Sequence, residues 1–146
     1  MKDLGIIIQA RSNSSRLPNK VVLPFYKNKG ILELIIEKLK NTNYKIFIAT
    51  TINKDDDIIE QIALKNNLQY FRGSEKNVLS RFIRIAQENN LKYVLRVCSD
   101  NPFINIRLLE KMILKLDLDK ELDYVGYFNK KDHPLIISHF GLFSEL

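Results

Sequence analysis

Tryptophan is missing from this sequence, and a single cysteine, Cys98, stands among 146 residues. One cysteine cannot close an internal disulfide, so a disulfide-built secreted domain is excluded and a reducing compartment is expected. No apolar run nears the roughly 20 residues that a membrane-spanning helix needs. Nor does the start read as a signal peptide, because Asp3 interrupts it and the apolar run that follows ends at Gln9. The expectation is a soluble, cytoplasmic protein. Both glycine-rich phosphate motifs, G-x-x-x-x-G-K-[ST] and G-x-G-x-x-G, are absent. His133 and His139 lack metal-ligand spacing and read as a turn residue and a strand residue.

What is present is ordinary globular material, 45% hydrophobic and 27% charged, with a net charge of +6 and a pI near 9.4. The basic excess points to an anionic partner. The lysines are scattered, however, and no aromatic–basic ladder of the single-strand-binding kind occurs, which argues against nucleic acid. The length fits one domain with a substantial core.

Apolar runs at 4–10, 45–51, 68–73 and 93–99 read as buried strands, and "DYVGYF" (123–128) and "PLIISHF" (134–140) as two more. Helical periodicity covers 31–40, 55–67, 75–89 and 105–116. Ser74 and Asn105 are the expected N-caps, and Asp55, Asp56 and Asp57 suit a helix start. Ile58, Ile59, Ile62 and Ala63 share one face, and Val78, Leu79, Phe82, Ile83 and Ala86 another. Strands alternating with helices predict an α/β domain with a mainly parallel sheet, whose ligands bind beyond the carboxyl ends of the strands.

Polar clusters fall at such ends. Arg11, Ser12, Ser15, Arg16 and Lys20 lie in the loop after the first strand, where hydroxyls and cations can meet phosphate. A solvated loop is the competing reading. Asp100 ends the fourth strand, where a carboxylate can share Mg²⁺ with phosphate oxygens or simply form a turn. The segment 72–81 is the third cluster. Cys98, inside an apolar strand, reads as an inert core thiol.

Four ordered stretches, "IIIQARSNSSRLPNK", "IFIATT", "FRGSEKNVLSRF" and "VLRVCSDNPFI", resemble motifs of the spore coat polysaccharide biosynthesis protein F group. That group belongs to the cytidylyltransferases related to CMP-KDO and CMP-sialate synthetases. The resemblance implies a three-layer, Rossmann-like (GT-A-like) nucleotidyltransferase domain over 1–146, truncated at its C-terminus relative to the family. It implies transfer of a cytidylyl group from CTP to a sugar, with release of pyrophosphate, in surface polysaccharide or glycan synthesis. Arg11, Ser12, Ser15, Arg16 and Lys20 would hold the triphosphate, and Gln9 and Ala10 would lie beside the base. Arg72, Gly73, Ser74 and Arg81 would shape the nucleotide and sugar pocket, and Asp100 would ligate Mg²⁺. Arg16, Lys20 and Asp100 would be the catalytic set.

Three positions depart from the family's pattern: Asn19 stands where glycine is usual, Asn77 where an acid is common, and Cys98-Ser99 where Thr-Gly is common. Two alternatives stay open, a non-catalytic nucleotide or nucleotide-sugar binding module and a GT-A glycosyltransferase. Against the second, no D-x-D lies at a strand end; residues 98–102 read Cys-Ser-Asp-Asn-Pro. Phe140, Leu142 and Phe143 are apolar residues expected to pair with another subunit, in a homodimer, or with further chain.

Overall fold

The structure is a computed structural model that describes residues 3–13, 17–119, 121–127 and the backbone of 140–143. Six strands, β1 (Leu4–Gln9), β2 (Lys45–Thr51), β3 (Gln69–Gly73), β4 (Tyr93–Cys98), β5 (Tyr124–Val125) and β6 (Phe140–Phe143), form one sheet. Their order is β3-β2-β1-β4-β6-β5. The first four are parallel, with Ile6 of β1 level with Ile46 of β2 and Leu95 of β4. β6 runs antiparallel between β4 and β5. Residues 140–143 thus pair with β4 along one backbone edge, and Leu142 and Phe143 pair with β5 along the other.

Burial explains the choice of residues. β1 lies at the centre of the parallel set, and its Leu4, Ile6, Ile7 and Ile8 are all shut from water, as a strand covered on both faces requires. One face carries α1 (Ile31–Leu39), α2 (Asp57–Lys65) and α4 (Ile106–Leu118), which close Leu4, Ile6, Ile8, Ile48 and Leu95 into the larger core. On the other face α3 (Val78–Glu88) sets Phe82, Ile85 and Ala86 on Ile7, Phe47, Ala49 and Val94. Each Ile, Leu, Val or Phe side chain so taken from water contributes about 1.5–3 kcal/mol before entropy is counted. The expected three-layer α/β architecture with a mainly parallel sheet is what forms.

Several local expectations change. α3 begins at Val78, capped by the Asn77 side chain, which accepts the Ser80 N–H at 3.0 Å. Ser74 instead accepts the Asn77 N–H at 3.1 Å and is not the cap. Leu79 is 56% exposed, because Arg81, Phe82 and Ile85 are the buried residues and turn the inward face away from it. Ile83 sits on the same flank and is only partly covered. Ile58 is likewise exposed, beside the buried stripe of Ile59, Ile62 and Ala63. β5 is shorter than the 123–128 expectation, and most of the 134–140 expectation lies outside the described residues. Asn105 does cap α4, accepting from Arg107 N–H and Leu108 N–H.

Candidate functional site

From β1 the chain steps to β2 and then β3 on one side, and β4 returns to the other side of β1. The loops after β1 and β4 therefore diverge, which opens a crevice at the carboxyl ends of the two strands. A cleft of about 200 Å³ lies there, lined by Gln9, Arg11, Lys20, Val21, Cys98, Ser99 and Asp100. Lys20 Nζ donates to Asp100 Oδ2 at 3.0 Å, joining one loop to the other. Arg11 Nη1 donates to Glu75 Oε1 at 3.2 Å, and Asn53 Nδ2 holds the other oxygen of Glu75 at 2.8 Å. Arg96 Nε donates to Gln9 Oε1 at 3.1 Å.

Cys98 is half-buried on the wall of this cleft, not within a closed core as its apolar strand implied. Burial pushes its thiol pKa up and Asp100 adds to that, while Arg96 opposes. The thiol therefore stays protonated near neutrality and is a poor nucleophile.

The loop after β1 is fastened at its base. Ser12 accepts the Asn19 N–H on its carbonyl at 2.7 Å, so residues 12 and 19 close a ring. Asn19 has φ 60°, the left-handed region where glycine is easiest and asparagine the usual substitute. That geometry explains why asparagine can stand where the resemblance leads one to expect glycine. Further on, the Val21 carbonyl accepts the Leu32 N–H at 2.9 Å, so the loop's end satisfies a free donor at the start of α1. The approach is close enough that a Cβ on Gly30 would fall 2.8 Å from that carbonyl oxygen.

The expected site residues divide into groups. Gln9, Arg11, Lys20 and Asp100 line the cleft together. Ala10 is buried and its N–H is engaged by the Ala49 carbonyl at 3.0 Å. Ser12 is buried, and its hydroxyl has no hydrogen-bond partner among the described residues. Ser15 and Arg16 lie outside the described residues.

Arg72, Gly73, Ser74 and Arg81 are not among the residues lining this cleft. Arg72 donates from Nε to the Thr51 carbonyl at 2.9 Å and from Nη2 to the Asn53 carbonyl at 2.8 Å. It also pairs with Asp57 and Glu60. Its guanidinium ties β3 to the start of α2 and is not among the groups lining the cleft. Hydrogen bonds from Tyr70 and Arg72 hold the Glu60 carboxyl below the usual carboxylate range. Gly73 leaves room for Arg81: a Cβ there would lie 2.8 Å from Arg81 Cγ and 2.9 Å from the Phe71 ring. Arg81 is 1% exposed, and its Nε and Nη1 have no hydrogen-bond partner among the described residues. Burial lowers its pKa and Arg11 adds to that, while Asp56 and Glu75 favour its charge.

Three residues that matter here fall outside the site set expected from the sequence. Glu75 and Arg96 pair with residues inside that set, but across spans of 64 and 87 positions that no local pattern reveals. Asp56 was read as a helix-start acid, yet it is 1% exposed.

Among the described residues no group of three or more His, Cys, Asp or Glu could hold a metal by itself. Asp100 alone, at the rim of the cleft, fits the way Mg²⁺ is commonly held, through one or two carboxylates with phosphate oxygens completing its shell. No helix among the described residues is long and apolar enough to cross a membrane.

Comparison with known proteins gives a family. A model described as Cytidylyltransferase matches residues 5–139. The chain is 34% identical over 135 residues to the spore coat polysaccharide biosynthesis protein SpsF of Bacillus subtilis, covering 88% of this chain and 55% of that one. It is 27% identical over 123 residues to a 3-deoxy-manno-octulosonate cytidylyltransferase of Rickettsia bellii, covering 82% and 50%. The chain thus spans about half the length of the curated relatives it matches. A solved cytidylyltransferase structure from Leptospira borgpetersenii superposes with a TM-score of 0.87 at 30% identity, covering 99% of this chain and 61% of that one.

Proposed function

This chain belongs to the cytidylyltransferase family, and on that premise we propose that the cleft between β1 and β4 binds CTP and supports transfer of its cytidylyl group to a sugar. The product would be an activated sugar for surface polysaccharide or glycan synthesis. The observation that carries the reading is the Lys20–Asp100 pair at 3.0 Å, with Arg11 on the same wall of the cleft. A basic group and a carboxylate facing each other across a crevice are the two charges that a metal–triphosphate needs. Each partner holds the place of what the other would meet. Phosphate oxygens would take the place of Asp100 beside Lys20, and Asp100 would then hold Mg²⁺.

In the reaction, a sugar hydroxyl oxygen forms a bond to the α-phosphorus. The bond from that phosphorus to the pyrophosphate oxygen breaks, and the hydroxyl proton leaves to solvent or a base. Charge grows on the leaving pyrophosphate. Lys20 and Arg11, which line the cleft, would stabilise that growth as preorganised cations, and the family resemblance implies the same role for Arg16. Held through Asp100, Mg²⁺ would supply further neutralisation of the triphosphate oxygens. The hydrogen bond from Arg96 would fix the orientation of the Gln9 side chain on the cleft wall.

The test is pyrophosphate release from CTP with Mg²⁺ and a panel of sugars, sugar acids included, followed by mass analysis for the CMP-sugar. Sugar-dependent release with CTP, and not with ATP, GTP or UTP, is the expected result. Equal release with every nucleotide, or none with any sugar from a chain that binds CTP, contradicts transfer.

A further inference from the structure

We propose that Asp56 is a positioning residue for the base of the loop after β1, at Ser12, Asn19 and Lys20, setting nucleotide affinity without touching the nucleotide; this rests on the CTP reading of the cleft. Asp56 belongs to a 3₁₀ turn, Lys54–Asp56, and immediately precedes α2. An acid there would ordinarily be read as a cap, but its side chain accepts no capping hydrogen bond from α2. Both oxygens turn back toward the sheet. Oδ1 accepts the Ser12 N–H at 2.6 Å, across 44 residues of sequence. Oδ2 accepts the Thr51 N–H at 3.3 Å and the Thr51 hydroxyl as well. A carboxylate buried this deeply is retained only when its lone pairs are met, and these donors meet them.

The consequence runs along a short chain of contacts. Thr51 ends β2, in the rigid sheet. Asp56 fastens Ser12 to it, Ser12 fastens Asn19 through its carbonyl, and the next residue, Lys20, reaches Asp100. The mouth of the loop is thereby tied to the end of β2 through Ser12. The rim cation of the cleft sits one residue beyond the loop's closing bond. The negative charge of Asp56 also favours the charge of the buried Arg81 guanidinium. Charge-assisted hydrogen bonds to a backbone N–H are the stronger kind, which suits an anchor on a polar loop.

The test compares the wild-type chain with Asp56→Asn, Thr51→Val and Ile59→Val. The last trims buried core in α2 without touching the loop, and so controls for plain destabilisation. CTP affinity is measured by calorimetry at a temperature where all four are folded, and amide exchange is followed at Ser12 and Asn19. Asp56→Asn is expected to weaken CTP binding about tenfold, the scale of one charge-assisted hydrogen bond, and to speed exchange at both amides. Thr51→Val should do the same to a smaller degree, and Ile59→Val should do neither. If Asp56→Asn binds CTP as the wild type does, or if Ile59→Val weakens binding equally, the positioning role is overturned. Should the wild-type chain bind no CTP, the functional reading fails separately. Unchanged exchange at Ser12 and Asn19 in Asp56→Asn would then overturn the anchor, and faster exchange would support it.

Discussion

Lys20 Nζ and Asp100 Oδ2 stand 3.0 Å apart across the crevice between β1 and β4, an ion pair whose members are 80 residues apart in sequence. Both side chains keep substantial contact with water. A pair so exposed contributes about 0–1 kcal/mol to stability, so its value to the protein lies in what it can exchange for. Lys20→Ala and Asp100→Asn should each leave the melting temperature nearly unchanged. Lys20→Ala should nevertheless weaken CTP binding by about 1–3 kcal/mol, the scale of a hydrogen bond to a charged group. Asp100→Asn should blunt any gain in affinity that Mg²⁺ gives. Thermal melts and calorimetry on the same samples check both statements.

Asn19 holds φ 60° while its N–H closes the loop onto Ser12. Asn19→Gly should fold and bind as the parent does. Asn19→Val should lose about 1–2 kcal/mol, the cost of the left-handed conformation for an ordinary side chain. Chemical denaturation of the three proteins measures the difference.

Gly73→Ala places a methyl 2.8 Å from Arg81 Cγ and 2.9 Å from the Phe71 ring. Arg81 is enclosed and cannot swing into water, so overpacking should cost about 1–3 kcal/mol. A melt indistinguishable from the parent would mean that the segment gives way more easily than its packing indicates.

Glu60 supplies a pH signature. Tyr70 and Arg72 lower its pKa in the folded protein. Its stabilisation is therefore complete above the carboxylate's unfolded value and is lost as pH falls through the lower, folded value. Stability should decline on acidification below about pH 4.5, and part of that decline should vanish in Glu60→Gln. Denaturation midpoints from pH 7 down to 3 test this, and identical slopes for the two proteins would contradict it.

Much of the architecture is legible in the residues, because it rests on local pattern. The apolar runs of β1, β2, β3 and β4 and the stripe of α1 announce themselves, and the alternation of strand and helix fixes the layers. Leu79 shows where pattern fails: a buried arginine does not count in any hydrophobic stripe, yet Arg81 decides which way α3 faces. Lys20 and Asp100 could be chosen by their place at strand ends. The engagement of Arg72 by Asp57 and Glu60 could not, since nothing local says which partner a surface guanidinium finds. Asp56 sits inside a run of three acids, and only burial separates it from its neighbours. That distinction belongs to tertiary structure.

The most direct measurement is calorimetric titration of the chain with CTP, with and without Mg²⁺, alongside UTP, ATP and GTP and with Lys20→Ala as the paired variant. The expected result is selective binding of CTP, strengthened by Mg²⁺ and weakened about tenfold or more in Lys20→Ala, the scale of a charge-assisted hydrogen bond. Equal affinity for all four nucleotides, or CTP binding indifferent to Lys20, would contradict a cytidylyl site in the cleft between β1 and β4.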